Sequence, residues 1–355
     1  MERLLFLFTM LCLVLCMSCA NMAMVHLRIG YRHYQNGEYD RAIEEYNRSI
    51  SVDRKNAEVY VARGNAYGES GRLDLAICDY DQAIELNNRY LEAYFSRAIT
   101  FREQGKLQRA VDDYNKALEL DPLYVNGYIN RAAVFFDQGS VDAAERDYRS
   151  VLKISPDSAM AFVGLGGIFR RKSNFTEAIS YYTMALRVDP GNADALLNRG
   201  KTWHDIGDFP RAIEDFSAVI AANQRDSLAY SNRGYSLAES GSLERAIEDF
   251  TRAIELNQKD YLSYNNRGFT RFEKGDIDGA IEDFNMAINI RPTFAEAYEN
   301  RSESLRANGE LKSALKDAEQ ALYLDHGNER YEKLVREILE MLEPEENGLG
   351  PNGDP

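Results

Sequence analysis

Asparagine recurs at a fixed spacing along the chain, and its side chain could bind an extended polypeptide. The members lie 34 or 68 residues apart and are Asn130, Asn198, Asn232, Asn266 and Asn300. A side-chain amide both donates and accepts a hydrogen bond, so a ladder of amides could pair with backbone groups of either kind. We interpret these residues as a binding surface for an extended protein segment; the alternative is that they contact only water.

Acidic and aromatic residues recur in the same register and would give that surface its preferences. An acidic column lies seven residues after the asparagines and includes Glu239 and Glu273. Its other members are Glu69, Glu103, Asp137 and Asp205. Acidic side chains favour Lys or Arg on a bound segment, and the aromatic residues beside them, Tyr235, Phe269 and Phe272, could act as anchors. The sequence therefore predicts a peptide-binding groove formed by these three kinds of residue.

Patterns that would indicate an enzyme, a cofactor or a metal site are missing from the sequence. The four histidines, His26, His33, His204 and His326, are scattered and none has Cys or carboxylate neighbours at metal-ligand spacing. The sequence has no Gly-rich phosphate loop and no Ser-His-Asp set outside the repeated positions. A net charge of −15 and a pI near 4.9 leave no basic stripe for nucleic acid. We expect a non-catalytic protein without cofactor or metal.

An internal repeat of 34 residues sets where these side chains lie within the 355-residue chain. Glycine marks the same place in eight repeats, and Ser173 takes that place in the remaining one. The glycines are residues 37, 71, 105, 139, 207, 241, 275 and 309. With this glycine as position 15, the predicted repeats are 23–56, 57–90, 91–124, 125–158, 159–192, 193–226, 227–260, 261–294 and 295–328.

Small and aromatic residues alternate within each repeat in a way typical of two packed helices. Position 20 is alanine in all nine repeats, and position 24 is aromatic in every repeat except the ninth, which has Ala318. Position 8 is always Gly, Ala or Ser, so a ring can fill the space beside a close helix contact. Positions 4, 8 and 11 of the first helix would be buried, and positions 2, 6, 9 and 13 would lie on the opposite side.

These spacings resemble the tetratricopeptide repeat consensus across residues 23–328. The residues that carry the resemblance in the second repeat are Tyr60, Arg63, Gly64, Tyr67, Ala76 and Tyr80. The resemblance implies an all-α fold, a right-handed α-solenoid of nine helix-turn-helix repeats, with a concave groove lined by the first helix of each. It also implies a scaffold or adaptor for other proteins, and the asparagines resemble the ladder of the O-linked N-acetylglucosamine transferase family. A self-assembling structural protein of the cell envelope is the alternative.

Position 7 departs from that consensus, because it is arginine in seven repeats that also carry aspartate at position 23. The two exceptions change together, as Ile29 with Glu45 and as Leu165 with Tyr181. Positions 7 and 23 each lie eight residues from the turn glycine, which is about 12 Å along either helix at ~1.5 Å per residue. The sequence therefore predicts a bridge between the two helices of each of the seven repeats.

The first 20 residues have the profile of a signal peptide, with Arg3 ahead of an apolar run from Leu4 to Leu15. The run is shorter than the roughly 20 residues of a membrane-spanning helix. Cleavage after Ala20 would leave a freely soluble mature protein, whereas lipidation of Cys19 would anchor it in a membrane. Either way we expect an exported protein, periplasmic or attached by lipid to the cell envelope.

The sequence after the last repeat separates into two short parts. Residues 329–342 keep an apolar spacing of three and four and predict a helix that caps the open end of the array. Residues 343–355 have too little apolar content to fold and predict a disordered tail.

Overall fold

The computed structural model describes residues 21–346, and all of its regular elements are α-helices, with no β-strand in that range. The predicted signal segment with Cys19 and the last nine residues lie outside it. Helix α1 spans residues 21–35. The helices that follow are α2 (Tyr39–Val52), α3 (Ala57–Glu69), α4 (Leu73–Leu86), α5 (Leu91–Glu103), α6 (Leu107–Leu120), α7 (Val125–Asp137), α8 (Val141–Ile154), α9 (Ala159–Arg171), α10 (Phe175–Val188), α11 (Ala193–Asp205), α12 (Phe209–Ala222), α13 (Ser227–Glu239), α14 (Leu243–Leu256), α15 (Tyr261–Glu273), α16 (Ile277–Ile290), α17 (Ala295–Ala307), α18 (Leu311–Leu324) and α19 (Glu329–Glu346).

The chain forms two compact units, one ending at Ile168 and one beginning at Phe169, which we call the N-terminal and C-terminal modules. In each module a helix packs against the helices that precede and follow it in sequence, and α19 packs against α18. This neighbour-to-neighbour packing is that of an α-solenoid of helix-turn-helix repeats.

The turns within the repeats depend on a backbone conformation that favours glycine. Gly241, between α13 and α14, has φ 81° and Gly275 has φ 88°. Ser173 adopts φ 57° at the one turn without glycine and is the only non-glycine residue with positive φ within residues 21–346. A side chain in this region costs roughly 1–2 kcal/mol, so this turn is the strained one.

The ring at position 24 explains why position 8 is small. A Cβ on Gly64 would lie 2.6 Å from the ring of Tyr80, and one on Gly234 would lie 3.0 Å from that of Phe250. Both rings are buried. A larger residue at position 8 would force the paired helices apart, at a typical overpacking cost of about 1–3 kcal/mol.

The buried stripe of the first helix differs from the predicted one. Position 8 is buried in all nine repeats, as predicted, but positions 4 and 11 are mostly half-buried. Position 10, which we did not predict, is buried in repeats 2 to 9, as in Thr270 and Ser304. The aromatic residues at position 4 are mostly half-buried. Tyr230, for example, lies with its ring centroid 5.6 Å from the guanidinium carbon of Arg233. A ring that contacts a charged group in this way stays near the surface.

Helix α19 ends at Glu346, four residues later than the predicted capping helix. An apolar pattern shows where a helix packs and not where it ends. Leu334 and Ile338 of α19 are buried in a cluster with Leu305 and Ala318. The helix thereby covers the apolar end of the last repeat.

Candidate functional site

Seven arginines at position 7 each bind an aspartate at position 23 through two hydrogen bonds, which confirms the predicted bridge. In repeat 7, Arg233 Nε and Nη2 donate to the two carboxylate oxygens of Asp249 at 2.7 and 2.8 Å. The other pairs are Arg63–Asp79, Arg97–Asp113, Arg131–Asp147, Arg199–Asp215, Arg267–Asp283 and Arg301–Asp317. Parallel bonds of this kind fix both distance and orientation, so they set the register of the helices beneath the groove.

The first helix of each repeat presents positions 6, 9, 12 and 13 on one surface, which we call the groove face. Asp226 caps α13 and Asp260 caps α15, because each carboxylate accepts a hydrogen bond from a backbone N–H three residues later. Such caps stabilise a helix start by about 1 kcal/mol. Both helices therefore hold their groove-face side chains on rigid elements.

A pocket of about 150 Å³ opens on the groove face between α13 and α15. Its wall includes five predicted site residues, Tyr235, Glu239, Asn266, Phe269 and Glu273, together with Ala238, Phe250 and Thr270. The two rings remain open to solvent, because Tyr235 is 45% and Phe269 is 44% exposed. The pocket joins an aromatic surface to two carboxylates and an amide.

The acidic column is not uniformly free, contrary to the predicted acidic groove. Arg102 at position 12 binds Asp137 of the next repeat at 2.8 Å, and Arg170 binds Asp205 in the same way. Glu239 and Glu273 are exposed, and no Lys or Arg within residues 21–346 forms an ion pair with either. Glu69 and Glu103 are also exposed and form no ion pair within that range. The negative charge available to a ligand therefore lies on four of the six acidic residues of the column.

The asparagines occupy three different environments. Asn130, Asn198 and Asn232 donate from Nδ2 to the backbone carbonyl four residues earlier, at 2.8–2.9 Å. Asn266 is half-buried and lines the pocket. Asn300 contradicts the expectation of an exposed amide. It is only 8% exposed and donates to Asn265 Oδ1 at 3.1 Å, because position 5 of repeat 8 carries a buried amide that needs a partner.

A second pocket, in the N-terminal module between α3 and α5, is lined from the same repeat positions. Its volume is about 460 Å³, and its wall includes Asn65, Tyr80, Ser96, Ile99 and Glu103. Gly68 and Glu69 also line it. The groove face thus forms a pocket of the same construction in each module.

The repeats of this chain match two models of known protein families. Models described as "TPR repeat" and "Tetratricopeptide repeat" together match most of the chain. The first matches residues 30–71, 64–102, 100–139 and 270–309, and the second matches 129–193, 169–226 and 205–261. The chain belongs to the tetratricopeptide repeat family.

Several solved structures share the architecture. A repeat protein from Parabacteroides merdae is 19% identical with TM-score 0.56, covering 70% of this chain and 98% of that one. The Cut9–Hcn1 hetero-tetramer of the APC/C gives 15% identity and TM-score 0.59, covering 89% and 76%. The pilF protein of Pseudomonas aeruginosa gives 19% and 0.54, covering 60% and 97%. At these identities the similarity establishes the fold, and no curated protein matches the chain.

Tetratricopeptide repeat proteins mediate protein–protein interactions, and their fold is typically a non-catalytic scaffold. Within the part of the chain that the structure describes, no three His, Cys, Asp or Glu residues are placed to hold a metal ion. None of the helices between residues 21 and 346 is both long and apolar enough to cross a membrane.

Sequence reasoning missed His204, which extends the aromatic surface beside the pocket. Its ring centroid lies 4.4 Å from that of Tyr235, and Nδ1 lies 3.0 Å from the Ser236 hydroxyl oxygen. Burial lowers the pKa of His204 below its ordinary value, so the imidazole is neutral at pH 7. Phe272, a predicted anchor, is half-buried and does not line the pocket.

A third contact of the position 7 arginines was also missed. Arg131 Nη1 donates to Asn115 Oδ1 at 2.6 Å, and position 25 of the preceding repeat supplies the equivalent acceptor for the other six arginines. The sequence carried the signal. Position 25 is arginine in repeat 4, Arg149, and the following repeat has Leu165 in place of arginine.

Proposed function

We propose that this protein is a scaffold that holds an extended segment of a partner protein on the groove face of its C-terminal module. The observation that carries the proposal is the pocket between α13 and α15. It joins residues from two neighbouring repeats, Tyr235 and Glu239 on one helix and Asn266, Phe269 and Glu273 on the next. Exposed rings beside unpaired polar groups are the composition of a recognition surface.

An extended segment suits this surface better than a folded domain. The pocket is smaller than the roughly 300–1,000 Å³ of small-molecule sites and has room for about one side chain. The side-chain amide of Asn266 has no hydrogen-bond partner within residues 21–346 and can pair with a backbone group of the segment. The Nδ2 of Asn232 donates to the Leu228 backbone carbonyl, which leaves the side-chain Oδ1 of Asn232 available as an acceptor. The two amides can therefore hold the backbone while a side chain enters the pocket.

The proposal includes export to the cell envelope. It is supported by the apolar run after Arg3 and by the cysteine at position 19. Mass spectrometry of the protein isolated from its own cells tests this directly. A mature N-terminus at a lipidated Cys19 or at Asn21 would support export, and an intact Met1 would contradict it.

Site-specific photo-crosslinking tests the binding surface. A photoreactive amino acid at Phe269 should capture a partner in intact cells, and the crosslinks should map to one continuous segment of that partner. The same amino acid at Tyr323, a 67% exposed residue outside the pocket, is the matched control. Crosslinks that scatter over a folded surface, or equal capture at both sites, would contradict the proposal.

A further inference from the structure

Position 12 and position 13 of successive repeats form a recurring arginine–carboxylate contact on the groove face. In the C-terminal module, Arg170 reaches from repeat 5 to Asp205 of repeat 6 at 2.8 Å. In the N-terminal module, Arg102 makes the same contact with Asp137. At the end of the array Arg306 spans from repeat 9 to Glu337 of α19 at 2.9 Å. The chain therefore pairs its own guanidinium group with a groove-face carboxylate at two repeat steps, and Arg306 makes a related contact with the capping helix.

That arginine is missing at the aromatic pocket. Position 12 of repeat 7 is Ala238, so Glu273 of repeat 8 has no partner from the preceding helix. Glu239 lies on the same wall and also forms no ion pair with any residue between 21 and 346. The two carboxylates are exposed, and the short side chain of Ala238 leaves the space beside them open.

The walls of this space suit a planar cation. Tyr235 and Phe269 present exposed rings to the pocket, and a guanidinium group binds favourably over such rings. The chain uses the same combination internally, since Arg233 contacts the ring of Tyr230 and the carboxylate of Asp249. An ammonium group would gain the charge contacts without planar stacking.

We propose that the pocket binds one arginine side chain of the partner segment, which takes the place that Arg170 and Arg102 fill at other steps of the groove face. This inference rests on the proposed function and names the residue that the groove selects. The guanidinium group donates to Glu273 and Glu239 and lies against Tyr235 and Phe269. Selection needs the rings as well as the charge, because the N-terminal pocket also has two exposed carboxylates, Glu69 and Glu103, but no aromatic residue at position 9.

Two synthetic peptides that differ in one charge test the inference on the full chain. The probe is a fluorescein-labelled nonapeptide of alanine and serine with arginine at its centre, and the matched probe carries citrulline, which has the same shape without the charge. Fluorescence polarisation should show at least about 10-fold tighter binding of the arginine peptide, as expected for hydrogen bonds between charged groups. Glu239→Gln combined with Glu273→Gln should abolish this preference.

A self-filling variant gives a second test. Ala238→Arg supplies the missing internal arginine and should abolish binding of the arginine peptide, because the new side chain occupies the pocket. Arginine is already accommodated at position 12 in three repeats, so the variant should fold normally, as circular dichroism can verify. Gly68→Arg, at the same position in the N-terminal module, is the matched control and should leave binding unchanged.

The outcomes separate this inference from the proposed function. Equal binding of the two peptides, or unchanged binding by Ala238→Arg, overturns the arginine pocket. If both peptides bind equally and Phe269→Ile abolishes that binding, the groove function stands without the charge selection. Failure of both peptides to bind also overturns the arginine pocket. The absence of crosslinked partner at Phe269 would then overturn the proposed function as well.

Discussion

The pockets between α3 and α5 and between α13 and α15 have the same construction and different chemistry. Both are lined by positions 9, 12 and 13 of one repeat and positions 6, 9, 10 and 13 of the next. The N-terminal pocket has Asn65 and Ile99 at position 9, where the C-terminal pocket has Tyr235 and Phe269. The repeat framework therefore fixes where a pocket forms, while a few surface residues decide what it can bind.

The aromatic residue at position 24 lines both pockets and also contributes to this difference. Tyr80 donates its hydroxyl hydrogen to Asn65 Oδ1 at 2.8 Å, so the amide at position 9 is partly used to satisfy a buried hydroxyl. Phe250 has no hydroxyl, and Tyr235 above it remains free to contact a ligand. The presence or absence of this one buried hydroxyl group thereby changes which side chains of the groove face are available to a ligand.

The largest predicted effect concerns the framework that the two pockets share. Arg63→Ala and Arg233→Ala should each destabilise the protein by about 3 kcal/mol, since each leaves a buried aspartate without its partner. Urea unfolding of the two variants should show similar losses. A large loss in one module and none in the other would show that the frameworks are not equivalent.

A double variant complements this test by copying a residue pair that another repeat of the chain already has. Arg233→Leu together with Asp249→Tyr copies the pair found at Leu165 and Tyr181 in repeat 5. This double variant should lose less stability than Arg233→Ala, because no buried charge remains unpaired. Equal losses of stability in the two variants would contradict the idea that the bridge mainly fixes the register of the two helices.

The second prediction is that the stability of the C-terminal module depends on pH through a buried glutamate that repeat 2 of the N-terminal module lacks. Position 5 is Val61 in repeat 2 but Glu299 in repeat 9, where it is 2% exposed and paired with Arg330 of α19. Burial raises the pKa of Glu299 to about 7, against the lowering effect of Arg330, and the nearby Glu296 and Glu303 raise it further.

The sign of the pH effect follows from that shift. Because the pKa in the folded state lies above the ordinary 4.5, the neutral form stabilises the fold below pH 4.5. That contribution is lost as the pH rises to about 7, up to about 3 kcal/mol in all. Glu299→Gln should therefore be more stable than the parent at pH 8 and close to it at pH 4.5, by urea midpoints. Glu340→Gln, at an exposed carboxylate on α19, is the matched control.

The third prediction exchanges the chemistry of the two pockets. Tyr235→Asn with Phe269→Ile should weaken binding of the arginine peptide by about 10-fold or more, as expected for loss of aromatic anchors. The reverse set, Asn65→Tyr, Tyr80→Phe and Ile99→Phe, should give the N-terminal pocket measurable affinity for the same peptide. Fluorescence polarisation measures both. A transplanted pocket that stays inactive would show that more than these positions decides binding.

The smallest predicted effect concerns the turn that lacks glycine. Ser173→Gly should stabilise the C-terminal module by about 0.5–1 kcal/mol, because glycine relieves the positive φ but loses more entropy on folding. The reciprocal change, Gly207→Ser, should cost a similar amount. Thermal unfolding of both variants measures this, and destabilisation by Ser173→Gly would contradict the assigned strain.

Features confined to one repeat could be predicted from the sequence, and features that join repeats mostly could not. The Arg233–Asp249 bridge was predictable because both residues change together within a 34-residue period. The contact of Arg170 with Asp205 joins residues 35 apart on different helices. Whether a carboxylate is free therefore depends on a neighbouring repeat. The burial of Asn300 depends likewise on Asn265 beside it.

The third hydrogen bond of each position 7 arginine should affect how unfolding spreads along the repeats. Each guanidinium group belongs at once to its own repeat and to the one before it, so damage to one repeat weakens its neighbour and melting spreads in blocks. Leu165 interrupts this chain of shared bonds after Arg149, which is bound within its own helix to Glu145. A melting front that starts on either side should pause at that step.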